Sequence, residues 1–113
     1  MFFDSNFIIF DTEFTSWPGA MERNWSGKNE HKELVQIGAV KVDTSLNEVD
    51  SFDALSKPVL NKTLSKYFTD LTGITQQEIE LKGVSIQKSI QSFLVWTDSL
   101  PIISWGGDET ILY

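Results

Sequence analysis

The sequence lacks cysteine, has a single histidine and contains no long uninterrupted hydrophobic segment. The absence of cysteine excludes disulfide bonds, a thiolate zinc site and a cysteine nucleophile, and it fits a reducing, cytoplasmic setting. The first ten residues have no basic region, and their apolar run ends at Asp11. We therefore predict neither a signal peptide nor a membrane span.

Positive charge is also scarce, because nine Lys and Arg residues face sixteen Asp and Glu residues and the net charge is −7. Neutralising phosphates over a broad surface requires clustered Lys and Arg, so this balance argues against electrostatic attraction as the main way of holding nucleic acid. Bound divalent cations supply positive charge locally, and a metal-dependent nuclease therefore remains compatible with the charge.

The 113 residues are 41% hydrophobic and include four Trp and eight Phe. This composition is typical of a soluble globular protein with one core, and we expect a single domain over residues 1–113.

Hydrophobic patterning predicts four strands. The unbroken apolar run Phe7–Phe10 indicates a strand buried on both faces. Residues 34–42 and 48–55 read as a hairpin, and residues 101–104 as a further short strand. Residues 14–32 carry Pro and Gly without a sustained period, which predicts a long loop.

Three helices are predicted between the hairpin and the last strand, over residues 65–72, from Thr75 to Gly83, and over residues 85–97. Thr75 and Glu78 have the spacing of a capping box. The apolar residues expected to face the core are Tyr67, Phe68 and Leu71 in the first helix, Ile74 and Ile79 as the staple of the second, and Ile86, Ile90, Phe93 and Leu94 in the third.

Three acidic residues are candidates for a metal site. Asp11 and Glu13 are two residues apart at the end of the first strand, so both carboxylates point to one side of the sheet. A parallel strand at 101–104 would bring Asp108 to the same edge. Neighbouring carboxylates repel unless a cation or a basic partner stabilises them, and Mg²⁺ suits oxygen ligands. Either acid alone is equally well read as a loop start or a cap.

Four strings occur in order along the chain: IIFDTEFT, ELVQIGAV, LTGIT and SWGGDE. As a set they resemble the DEDD (DnaQ-like) exonuclease superfamily, in the branch of the ERI-type 3′ exonucleases. The resemblance implies an α/β fold, a ribonuclease H-like mixed β-sheet flanked by helices, and hydrolysis of terminal phosphodiesters of single-stranded RNA or DNA from the 3′ end. Two Mg²⁺ or Mn²⁺ ions are implied as cofactors.

The same resemblance implies catalytic and metal-binding roles for three residues. Asp11 would bridge both cations, Glu13 would hold the one that activates water, and Asp108 would help to retain the other. The family's usual spacing makes Glu109 the fallback for Asp108. Substrate contacts are expected at residues beside these motifs: Thr12, Phe14, Thr15, Trp17, Trp25 and Trp105.

The loop residues Trp17 and Trp25, with Met21 and Arg23, suit stacking on a terminal base and contact with its phosphate. It is an equally good interpretation that both tryptophans cover the edge of the core.

The family pattern ends with a His and, five residues later, an Asp, and neither occurs here. His31 precedes the second strand, and we expect it to be an exposed loop residue. We therefore expect the N-terminal two-thirds of an exonuclease domain, incomplete at the C-terminus, as a fragment or as an inactive form. A sheet edge left open beside residues 101–104 predicts a homodimer.

Two alternatives stay open. A haloacid dehalogenase-like phosphatase also begins with an apolar strand and a D-x-D-x-T motif, but Glu13 replaces its second Asp, and ELVQIGAV and LTGIT remain unexplained. A degenerate exonuclease fold that only binds nucleic acid or protein fits the acidic charge, although such a module gains little from two adjacent acids.

Overall fold

The structure is a computed structural model that describes residues 5–104. These residues form four strands and three helices in the order β1 (Phe7–Phe14), β2 (Leu34–Val42), β3 (Glu48–Leu55), α1 (Lys66–Thr72), α2 (Gln76–Lys82), α3 (Ile86–Thr97) and β4 (Ile102–Ser104). The predicted hairpin, long loop, three helices and short final strand are all confirmed, with boundaries that differ by one or two residues.

The four strands form one mixed sheet in the order β3-β2-β1-β4. β1 pairs antiparallel with β2 and parallel with β4, where Ile8 lies opposite Ile102 and Phe10 opposite Ser104. The predicted parallel strand beside the first strand is therefore confirmed. This mixed sheet with its flanking helices is the α/β arrangement that the resemblance implied.

The first half of β1 is buried on both faces, as the unbroken apolar run predicted, because the consecutive residues Phe7 and Ile8 point to opposite faces and both are buried. Ile8 and Phe10 belong to a core cluster that α3 covers with Phe93. The Phe93 ring lies 5.5 Å from that of Phe10 and 5.6 Å from that of Phe52, measured between centroids. These ring contacts fix α3 against the centre of the sheet.

A second core cluster lies under the two short helices and joins Val35 of β2 to Leu64, Phe68, Ile74 and Ile79. The predicted staple residues of α2 are both in it. The capping box is also confirmed, since the Thr75 hydroxyl accepts the Glu78 amide and the Glu78 carboxylate accepts the Thr75 amide. Seven-residue helices have little stability alone, so these caps and the shared cluster hold them in place.

The prediction that the side chain faces the core is wrong for three helix residues. Tyr67 is 40% exposed, Leu71 66% and Leu94 47%. In α1 only Phe68 is buried, because one turn of this short helix reaches the core. In α3 the buried stripe runs through Ser89, Phe93 and Thr97 at a spacing of four residues, which leaves Leu94 at the edge of the contact.

No helix in the described part of the chain combines the length and the apolar character needed to cross a membrane.

Glycine is needed at position 83, at the end of α2, because neighbouring atoms lie too close for a side chain. A left-handed backbone conformation is not the reason. The φ of Gly83 is −69°, whereas Gly73 at the end of α1 has the left-handed φ of 80°. A Cβ atom at Gly83 would lie 2.4 Å from the Ile79 carbonyl oxygen and 2.9 Å from the Lys57 side chain. The first contact is with backbone, which cannot move without breaking the last turn of α2.

We predict that Gly83→Ala lowers the free energy of unfolding by about 1–3 kcal/mol, the usual cost of overpacking. The matched control is Gly38→Ala in β2, where a Cβ atom meets nothing within 4 Å. There we expect no loss, or a gain of roughly 0.5 kcal/mol from lower chain entropy. Urea unfolding of both variants measures the difference, and equal midpoints would contradict this account.

Candidate metal and nucleic-acid site

Asp11 and Glu13 lie in the second half of β1, two residues apart, so alternation along the strand places both carboxylates on one face of the sheet. Asp11 is exposed and Glu13 is half-buried. Regular pairing with β2 continues through both residues and shifts only between Glu13 and Phe14. The strand therefore holds the acid pair rigidly and bends the chain immediately after it.

The space beside Asp11 is open because its partner in β2 is Gly38. Directly opposed residues carry their Cβ atoms roughly 5 Å apart on the same face, so any side chain at this position would stand next to the Asp11 carboxylate. A Cβ atom built on Gly38 meets nothing within 4 Å. Two carboxylates beside open space fit a hard divalent cation, which takes oxygen ligands and retains several waters.

Neighbouring polar residues frame this open space without closing it. Gln36 stands opposite Glu13, and Asp53 of β3 stands opposite Gly38. The Gln36 amide donates to the Asp53 carboxylate at 3.0 Å. Asp53 therefore belongs to the same sheet face as the acid pair but lies beyond the central glycine.

Within residues 5–104 no group of three or more His, Cys, Asp or Glu side chains is placed to hold a metal ion. Two of the three predicted metal ligands, Asp11 and Glu13, lie within these residues. Asp108, its fallback Glu109 and the predicted substrate residue Trp105 lie outside the described residues. Their place in the site stays a prediction.

The acid pair lines a groove of about 400 Å³ between the sheet, the long loop and α1. Three of the predicted substrate residues, Thr12, Phe14 and Trp25, line it as well. The remaining lining residues are Ser16, Met21, Lys32 and Leu71. The groove thus has the two carboxylates beside a mainly apolar wall.

Two other predicted substrate residues do not line this groove. Thr15 is buried, and its hydroxyl donates to the His31 carbonyl at 2.5 Å while accepting the Glu33 amide at 3.0 Å. Thr15 thereby closes the base of the long loop. Trp17 is half-buried, and its carbonyl accepts the Ala20 amide at 2.9 Å in the turn that follows.

The loop is also anchored to the segment that leads into α1. His31 is exposed, as predicted, and its amide donates to the Asn61 side chain at 3.0 Å. The same Asn61 side chain donates to the Asn29 carbonyl at 2.7 Å. The Ser65 hydroxyl donates to the Ser16 carbonyl at 2.6 Å. These contacts hold the loop against the segment before α1.

Glu33 is the central anchor. This buried carboxylate accepts the backbone amides of Val59, Leu60 and Asn61 at distances between 2.7 and 3.1 Å. Desolvation alone would raise the pKa of Glu33, but the three amide donors outweigh it, and the pKa lies below its ordinary value. A buried charge is thus stabilised by fully formed hydrogen bonds.

Arg23 and Lys32, two of the three Lys and Arg residues in the loop, have different partners. Arg23 forms an ion pair with Glu30, donates to the Pro18 carbonyl at 3.0 Å and does not line the groove. The hydrogen bond between the Arg23 and Glu30 side chains raises the pKa of Arg23 and lowers the pKa of Glu30. Lys32 instead places its ammonium 4.7 Å from the Phe14 ring centroid and 4.5 Å from that of Trp25.

Sequence patterns missed three residues of the groove, Ser16, Lys32 and Leu71. Neither Ser16 nor Lys32 lies in a pattern that indicates a function. Leu71 begins the LTGIT string, which was recognised, but the helical pattern assigned its side chain to the core. The Leu71 side chain is 66% exposed and lines the groove, so the LTGIT string begins at the protein surface.

The mixed sheet and the acid pair at the end of its inner strand define a ribonuclease H-like nuclease domain. The family model described as Exonuclease matches residues 8–103, and the chain belongs to this exonuclease family. The match covers ELVQIGAV and LTGIT, which the phosphatase alternative left unexplained, so the phosphatase interpretation is replaced.

Among curated proteins, the chain is similar to ERI1 exoribonuclease 2 of Xenopus laevis, with 32% identity over 94 residues that cover 82% of this chain and 12% of that protein. It is also similar to a PolC-type DNA polymerase III of Thermotoga maritima, with 29% identity over 91% of this chain and 6% of the polymerase. The chain thus spans a small part of the relatives that it matches.

Among solved structures, cell-death related nuclease 4 (CRN-4) is 26% identical with a TM-score of 0.69, covering 88% of this chain and 34% of that one. The nuclease domain of 3′hExo, a DEDDh family member bound to rAMP, has a TM-score of 0.75 at 18% identity and covers 96% of this chain and 56% of that domain's chain. The latter likeness concerns the fold alone.

We predict that Glu33→Gln lowers the free energy of unfolding at pH 7 by about 1–3 kcal/mol, because it removes a charged acceptor of three amides. The contribution of a carboxyl whose pKa is lowered is present above its unfolded pKa of about 4.3 and is lost as the pH falls below it. The wild-type advantage should therefore shrink below about pH 4.3. Urea unfolding of both proteins at neutral and acidic pH measures this difference in unfolding free energy.

The matched control is Glu48→Gln, which changes an exposed glutamate at the start of β3. Its effect on stability should stay within about 0.5 kcal/mol, as for surface substitutions in general. An advantage of wild type over Glu33→Gln that does not depend on pH would contradict the assigned role of the carboxylate.

Proposed function

We propose that this chain carries the metal-binding half of a 3′-to-5′ exonuclease site that hydrolyses terminal phosphodiesters of single-stranded nucleic acid. The observation that carries the proposal is the acid pair on β1, which opens onto a groove with space for a cation beside Gly38. Membership of the exonuclease family supports the reaction class.

Asp11 and Glu13 would hold two Mg²⁺ or Mn²⁺ ions, with Asp108 as the proposed third carboxylate. When bound, such ions activate the attacking water and offset the charge on the phosphoryl transition state. The protein's own part is geometric, because β1 keeps the two carboxylates on one face and hydrogen bonding on both sides of β1 fixes the backbone at Phe10, directly before them. This arrangement needs no rearrangement of the strand before metal binding.

The apolar wall of the groove would accept the terminal nucleotide. Phe14 and Trp25 present aromatic rings at the side of the acid pair, and every base has a face that stacks on such rings. We propose RNA as the first substrate to test, since the relatives with 32% identity are exoribonucleases. DNA stays an alternative, supported by the likeness to the polymerase. We propose the cytoplasm as the site of action, which the absence of cysteine supports.

We predict that Asp11→Asn abolishes Mn²⁺ binding measured by calorimetry and lowers the rate of nucleotide 5′-monophosphate release from a 3′-labelled single strand by at least about 100-fold, the scale of losing one electrostatic stabiliser. Asp53→Asn is the matched control, since this carboxylate lies on the same sheet face but beyond Gly38. It should leave metal affinity and rate within about twofold of wild type, given its distance from the acid pair.

A metal-linked stability measurement separates binding from chemistry. Mn²⁺ at 100 times its dissociation constant should stabilise the wild-type protein by about 2.7 kcal/mol and leave the Asp11→Asn variant unchanged. If oligonucleotides bind without metal and no nucleotide is released, the degenerate binding module is the better description.

We also propose a homodimer formed through the sheet edge at β4. In the strand order of residues 5–104, β4 lies at one end of the sheet beside β1, and a strand at the end of a sheet can pair with a strand of a second copy. Sedimentation velocity across micromolar concentrations should show a concentration-dependent dimer. A stable monomer throughout that range would contradict the proposal.

A further inference from the structure

Lys32 is a cation held at a defined place in the groove. Its ammonium lies 4.7 Å from the centroid of the Phe14 ring and 4.5 Å from that of the Trp25 ring. A cation within about 6 Å of a ring centroid is attracted by the negative face of the ring. Contact with two rings therefore restricts the end of a side chain that is otherwise among the most flexible in proteins.

Both rings are themselves fixed. Phe14 is the last residue of β1 and packs against the core cluster of Ile8, Phe10 and Phe93. The Trp25 indole N–H donates to the Thr15 carbonyl at 2.6 Å, at the base of the long loop. The two rings that attract the exposed Lys32 side chain are thus held in place by the fold.

The charge of Lys32 is available to an anion. The ion pairs among residues 5–104 join Arg23 to Glu30 and Lys66 to Asp70, so within this range Lys32 has aromatic faces as neighbours and no carboxylate within 4.0 Å. Aromatic rings attract a cation without neutralising it. The chain has a net charge of −7, so a lysine in the groove without an ion-pair partner among residues 5–104 stands out as a candidate anion ligand.

The anions of a nucleic-acid strand are its phosphates, and the groove already contains the acid pair at which the scissile phosphate would meet bound cations. We propose that Lys32 binds a backbone phosphate of the same strand adjacent to the scissile one and so positions the 3′ end over the acid pair. This inference rests on the proposed exonuclease function. It makes Lys32 a positioning residue that sets substrate affinity and register.

The test uses the whole protein and single-stranded oligonucleotides in which one phosphodiester at a time is replaced by an uncharged methylphosphonate. In the wild type, replacement at one linkage next to the scissile phosphate should raise KM about tenfold, the scale of one charge-assisted hydrogen bond. Lys32→Gln should raise KM for the unmodified strand by the same factor of about ten, and the methylphosphonate should then add nothing. The value of kcat should stay within about twofold.

Salt dependence gives a second readout that does not need hydrolysis. In anisotropy measurements with a labelled strand, the slope of log affinity against log salt should fall by about 0.7 in Lys32→Gln, the value for one phosphate contact on a single strand. Lys32→Arg keeps the charge and the ring contacts and should keep the wild-type slope. The matched control is Lys88→Gln, an exposed lysine of α3 outside the groove. It should leave both the slope and KM unchanged.

The idea is overturned if the wild type tolerates every single methylphosphonate, or if Lys32→Gln remains as sensitive as the wild type to the same linkage. It is also overturned if Lys32→Gln and Lys88→Gln change the salt slope equally. Normal nucleotide release with an unaltered KM in Lys32→Gln would refute the role of Lys32 alone. Failure of the wild type to bind Mn²⁺ or release nucleotides would refute the exonuclease function, while the salt slope would still report on Lys32.

Discussion

β1 is hydrogen-bonded on both sides, antiparallel to β2 and parallel to β4, and the placement of the site depends on this arrangement. Its first half is apolar and buried on both faces of the sheet. Its second half carries Asp11 and Glu13 into the groove. Two carboxylates on one face repel each other, and the pairing of β1 with its neighbours fixes the backbone that carries them.

The long loop beside the groove depends on a second feature, the buried carboxylate of Glu33. The Glu33 carboxylate accepts hydrogen bonds from the backbone amides of Val59, Leu60 and Asn61. It thereby ties the end of the long loop to the segment before α1. A buried carboxylate is costly unless its hydrogen bonds are formed, and here the three amide donors outweigh desolvation and lower the pKa of Glu33. The same contacts hold the end of the long loop in place.

The acidic net charge and a role in binding a polyanion are compatible because position matters more than total charge. Arg23 is paired with Glu30, which removes it as a phosphate ligand, whereas Lys32 is supported by two rings and keeps its charge. The proposed recognition, through bound cations and Lys32, would be local. It would need no basic surface and would suit binding of one strand end rather than a long duplex.

The sequence by itself determined the elements whose signals are local: the apolar run of β1, the hairpin, the Thr75 capping box, and the two-residue spacing of Asp11 and Glu13. These follow from strand alternation and helix-end chemistry, which act between near neighbours. Tertiary structure alone decided that Leu71 faces the groove, that Gly83 has no room for a Cβ atom, that Glu33 meets Val59–Asn61, and that Lys32 lies between Phe14 and Trp25. Each of these depends on residues that are distant in the chain or on how a helix is rotated against the core, and packing sets both.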